Sequence, residues 1–113
     1  MKTLIGLWFV VQAQMSGNDI TPAFANEKME ITDAGYKIWS GDMVSDSGSI
    51  TFFDGTNELD ILGINGPNQG KLFKCIYKMD GDNIIICYSL AGRPTDFEST
   101  KENKFVLITW KKR

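Results

Sequence analysis

Two short runs of carboxylates are the first places where this sequence could do chemistry. Asp80-Gly81-Asp82-Asn83 offers three oxygen-bearing side chains within four residues, which could begin a cation site. A calcium loop of the known type, however, needs about twelve residues ending in a bidentate Glu. With hydrophobic runs on either side, Gly81 reads instead as the positive-φ residue of a hairpin turn. Glu58-x-Asp60 alternates with Leu59 and Ile61, the pattern of outward residues on a half-exposed strand. No partner of shifted basicity accompanies them to make an acid–base pair. The chain contains no His, which removes the Ser-His and Cys-His nucleophile systems, the usual general base at neutral pH and most zinc sites. The expectation is a protein that is not an enzyme and uses neither metal nor cofactor.

These residues lie in a chain of short β-type runs separated by turn residues every eight to twelve positions. The runs are Thr3 to Gln14, KMEIT (28–32), YKIWSGDMV (36–44), SITFF (49–53), ELDILGI (58–64), GKLFKCIYKM (70–79), IIICYSL (84–90) and KFVLITWKK (104–112). SDSGS reads as the turn before residue 49, NGPNQG as a loop, and residues 21–27 as a loop or short helix. Eight short antiparallel strands tend to close on themselves because closure removes exposed edges. The expected fold is therefore all-β, a small antiparallel up-and-down barrel of about eight strands, formed by a single domain over residues 1–113.

The barrel gives the remaining candidates their roles. If the 80–83 turn holds an even number of residues, Cys75 shares a face with Phe73 and Tyr77, while Cys87 lies opposite the Ile84, Ile86 and Tyr88 face. The two thiols then diverge and stay reduced. Arg93 could clamp a ligand carboxylate. The packing residues beside it favour a structural role, with Arg93 bonding loop carbonyls, Pro94 fixing the turn and Phe97 plugging an end of the barrel. The aromatic residues, Trp8, Phe73, Tyr77, Tyr88 and Trp110 among them, are expected to fill so small an interior rather than line a cavity.

Leu4, Gly6 and Trp8 (L-x-G-x-W), the hairpin from Gly70 to Cys87 with its Ile-Tyr and Asp-Gly-Asp, and Arg93, Pro94, Thr95 and Phe97 (R-P-T-x-F) form a recognisable set. Together with the Lys-Arg ending, they resemble a bacterial family of lipocalin-like domains that has no established activity. The resemblance runs from residue 4 to 113; family members usually carry a small residue where Cys75 stands. It implies a calycin-type barrel in which Trp8 packs at the closed end under Lys111, Lys112 or Arg113. Such a cation–π contact is worth about 0.5–1 kcal/mol at a partly exposed site.

Hydrophobic residues make up 42% of the 113 and charged residues 23%, as in a globular domain, and the net charge is −2. No apolar run approaches the ~20 residues that span a bilayer. Three of the twelve positive charges are Lys111, Lys112 and Arg113, which leaves nine against fourteen acidic residues, or −5, over the rest. That balance disfavours nucleic acid as a partner and suits a basic protein. Asp42, Asp46, Asp54, Glu58 and Asp60 cluster in the sequence as a candidate acidic rim. The first functional expectation is a cytoplasmic immunity protein that blocks the active site of a cognate basic toxin, such as a nuclease delivered by contact-dependent growth inhibition. The second is a carrier that holds an apolar small molecule inside the barrel. The cytoplasmic reading rests on taking MKTLIGLWFVVQA as strand one rather than as a secretory signal, because cleavage after Ala13 would remove the strand bearing Trp8.

Overall fold

The computed structural model describes residues 4–113; Met1 to Thr3, where the stretch read as strand one begins, lie outside the described residues. Nine strands follow in order: β1 (Gly6–Met15), β2 (Asn18–Asp19), β3 (Glu27–Thr32), β4 (Gly35–Ser40), β5 (Met43–Phe52), β6 (Glu58–Asn65), β7 (Leu72–Asp80), β8 (Asn83–Ser89) and β9 (Val106–Lys112). Every pairing is antiparallel, sequential neighbours pair from β3 to β9, and β1 pairs with both β3 and β9. β2 is a two-residue stub folded back on the end of β1. The other eight strands close into a small all-β lipocalin-like barrel, as expected from the spacing of the runs. Among the described residues no helix is long and apolar enough to cross a membrane.

Of three register shifts in the sheet, at Val11, Ser45 and Ile64, the first two re-aim side chains of β1 and β5. The register between β1 and β9 shifts between Val10 and Gln12, so Val11 is the extra residue and stands half-exposed. Trp8 and Val10 face inward before the bulge, and Ala13 and Met15 face inward after it, opposite Ile108 and Val106. A bulge re-aims a strand in this way because one additional residue reverses the two-residue alternation.

The second bulge corrects a sequence expectation. SDSGS (45–49) is not a turn: the chain reverses at Gly41–Asp42, and the Ser-rich segment runs as strand inside β5. Ser45 is the extra residue there, and its hydroxyl donates to the Ile38 carbonyl (3.3 Å). β-Sheet neighbours on both sides supply the ladder that overrides the turn propensity of Ser, Asp and Gly. The stretch from 36 to 44 thus belongs to two strands, and the total of eight barrel strands is unchanged.

Polar turns join the strands at the end that carries Trp8, and this end is closed. Trp8 is fully buried, and its indole N–H donates to the Leu4 carbonyl at 2.9 Å. Lys112 supplies the basic residue over it, with Nζ 5.6 Å from the ring centroid, while Arg113 stands over Phe9. Gly6 makes room for this stack, because a Cβ there would come within 3.0 Å of Lys112 Cε. The β7–β8 hairpin turns through Gly81 and Asp82, closed by the Asp80–Asn83 pair, and Gly81 has the positive φ (63°) that a two-residue turn needs.

Residues 90–105 connect β8 to β9 as a strap along the outer wall. Cys87 pairs across the hairpin with Ile76, and both are buried although they point out of the barrel, because the strap covers them. Cys75 points inward, and both thiols are free. Arg93 anchors the strap, but it does not bond loop carbonyls as expected. Its guanidinium donates to the strand carbonyls of Leu59 (3.1 Å) and Cys75 (2.8 Å) and to Asp60 Oδ1 (2.6 Å). Pro94 is buried, whereas Thr95 is exposed. Phe97 does not plug a barrel end; it lies half-buried on the outer wall with Lys78 Nζ 4.6 Å from its ring centroid.

Candidate functional site

At the end opposite Trp8, a cavity of about 400 Å³ opens between the strands. Its floor is the apolar core: Met29, Ile61, Ile108 and Trp110 are all buried. Ile20 and Phe24 overhang the mouth, carried by the segment after β2 that includes a one-turn 3-10 helix, Thr21–Phe24. That segment is tied to β1 by the Ile20 amide donating to the Ala13 carbonyl (2.8 Å) and the Ala13 amide donating to Thr21 Oγ1 (3.0 Å). Pro67, Asn68 and Lys71 from the β6–β7 loop form the facing side.

The aromatic expectation is therefore half-corrected. Trp8 does fill the closed end, but Phe24, Tyr36, Phe73, Tyr88 and Trp110 line a cavity. Trp8 is packed within the core, while the side chains around the other end leave a space between them.

Polar groups break the apolar lining. Trp110 Nε1 donates to the Tyr88 hydroxyl (2.9 Å), and burial pushes the Tyr88 phenol well above its ordinary range. Tyr36 OH donates to Asp46 Oδ2 (3.3 Å), which also accepts from Asn68 Nδ2 (2.9 Å). Burial first, and then the charge of Asp46, holds the Tyr36 phenol above its usual value. Asp46 is only 7% exposed, and its Oδ1 is buried without any hydrogen-bond partner. Glu27 completes the set at the mouth; desolvation raises its carboxyl, with the Asp46 charge as the second cause.

The candidate acidic rim is dispersed. Asp42 and Asp54 are exposed in turns at opposite ends of the ten-residue β5. Glu58 and Asp60 face the strap, where Asp60 binds Arg93 at 2.6 Å and Glu58 lies 3.5 Å from its Nε. Asp46 enters the interior. It falls in phase with Gly48, Ile50 and Phe52, and Glu27 falls in phase with Met29 and Ile31. That two-residue period was the available signal for both cavity carboxylates, but reading 45–49 as a turn concealed it for Asp46.

No protein-family model, no curated protein and no solved structure matches the chain. The cavity itself therefore carries the functional reading.

Proposed function

We propose that the protein binds a small molecule of mainly apolar surface inside the open end of its barrel. The observation that carries this reading is the cavity of about 400 Å³ among buried aromatic and aliphatic side chains. Ligand sites of drug-sized molecules occupy about 300–1,000 Å³, are apolar with a few placed polar groups, and recur in the mouths of β-barrels. Burial of the ligand's apolar surface supplies the affinity, at roughly 25 cal/mol per Å² before association costs. The other reading, an inhibitor of a basic toxin, keeps its support from small size and net charge but has no single acidic face to act through. The two free thiols, both buried, fit a reducing compartment, and the cytoplasm is the proposed location.

The test is titration with N-phenyl-1-naphthylamine, an uncharged dye whose emission rises in apolar surroundings. Saturable enhancement is expected with the native chain, and it should be lost in Ile38→Phe and Val106→Phe, which fill the cavity from β4 and β9. Circular dichroism checks that both variants are folded. Non-saturable or absent enhancement with the native protein, or unchanged binding by both folded variants, overturns the proposal.

A further inference from the structure

We infer that the ligand carries an uncharged hydrogen-bond acceptor, such as a ketone or ester carbonyl, and that Tyr88 donates to it inside the barrel. This inference rests on the cavity being a binding site. The hydroxyl of Tyr88 already accepts the indole N–H of Trp110 at 2.9 Å. Its own O–H finds no acceptor, oxygen or sulfur, among the described residues. Tyr88 falls in phase with the buried Ile84 and Ile86 on β8, so its side chain points inward. It is only half-buried, unlike those two, and the surface it keeps faces the cavity that it lines. The other donors of the lining are spent or lie at the mouth. Tyr36 OH and Asn68 Nδ2 donate to Asp46, and Ser45 Oγ donates to the Ile38 carbonyl. Lys71 is exposed at the mouth.

An occupant that fills the cavity excludes water from it. The occupant itself must then take the Tyr88 proton, or a buried donor is left unpaired. Accepting from Trp110 polarises the Tyr88 O–H and strengthens it as a donor. A hydrocarbon fills the space but leaves that donor without a partner. A carboxylate could accept the proton, yet it would bring a charge into a lining with no buried cation to pair it. Arg93 lies on the outer wall and Lys71 is exposed. A neutral carbonyl on an apolar body meets both conditions.

The test uses benzophenone and diphenylmethane, which share both rings and differ by a carbonyl in place of a methylene. Each displaces N-phenyl-1-naphthylamine from the native chain and from Tyr88→Phe, which keeps the ring and removes the proton. Circular dichroism checks that the variant is folded. The ratio of benzophenone affinity to diphenylmethane affinity is expected to fall about tenfold in the variant, the scale of one buried donor left unpaired. Comparing the ratio between the two proteins cancels the ligands' different solubilities and any general loss of fit when Trp110 loses its acceptor. A second readout needs no variant. In an isotope-edited infrared difference spectrum, the C=O band of benzophenone bound to the native protein should lie below its position in an alkane. An unchanged ratio in folded Tyr88→Phe, or a bound C=O band at the alkane position, overturns the role of Tyr88 and leaves the cavity reading intact. Failure of the dye to bind overturns the cavity reading beneath it.

Discussion

Replacing Arg93 with Met isolates what holds the strap to the barrel. Met keeps most of the aliphatic stem but removes every donor. Lost are the 2.6 Å bond to Asp60 Oδ1, the 2.8 Å and 3.1 Å bonds to the Cys75 and Leu59 carbonyls, and the guanidinium over the Phe53 ring at 5.4 Å. Arg93 and Asp60 are each about one-fifth exposed at the side chain, so solvent screens the pair only in part. Breaking a fully buried pair from one side costs about 3–5 kcal/mol. Glu58, 43% exposed and 3.5 Å away, adds little. The lower end of that range, about 3 kcal/mol, is the expected loss. For a chain of 113 residues the unfolding entropy is roughly 0.24 kcal/mol per K, so Tm should fall by about 12 °C. Urea unfolding of Arg93→Met, Asp60→Asn and the double variant, followed by Trp fluorescence, gives both the loss and the coupling. A coupling of about 1.5–2 kcal/mol is expected for residues sharing one charged hydrogen bond. A loss under about 1 kcal/mol, or no coupling, would show that Pro94 and Phe97 hold the strap by packing and that the guanidinium network is incidental.

Glu27 gives stability a pH dependence with a definite sign. Its folded-state carboxyl titrates above its unfolded value because the cavity wall desolvates it, so folding retains a proton that unfolding releases. The contribution of Glu27 to stability is greatest below the ordinary carboxylate range of about 4.3 and is lost as pH rises through the elevated folded value. Urea midpoints of the native chain and Glu27→Gln, measured from about pH 4 to 7, should therefore separate in favour of the variant as pH rises; a gap independent of pH sinks the assignment. Both thiols should be inert in the folded state. Burial pushes Cys87 up to about 11 and Cys75 higher still, so neither forms appreciable thiolate at about pH 8. A disulfide-exchange reagent should titrate two thiols promptly in denaturant and neither at a comparable rate without it; fast reaction in the folded protein refutes the burial argument.

Much of the fold was legible because closure of a meander depends on strand number and spacing, both local properties. The eight runs, the Gly81 turn and the opposed directions of Cys75 and Cys87 follow from the two-residue period and turn chemistry. The β1 and β5 bulges were not legible. A bulge adds one residue to a strand whose partner decides where it sits, and Val10-Val11-Gln12 carries no local mark of it. Reading Ser45–Ser49 as a turn sent Asp46 to an imagined rim, although its spacing from Ile50 and Phe52 placed it on the inner face.

The sequence by itself determined an all-β barrel, since alternation and turn residues act between near neighbours; the place of Trp8 at the closed end was only what the family resemblance implied. Only the tertiary structure decided that the other end is hollow, that Arg93 reaches from the strap to β6 and β7, and that Asp46 and Glu27 line one cavity. Whether inward side chains meet or leave a space depends on barrel width and taper, which arise from strands far apart in the chain.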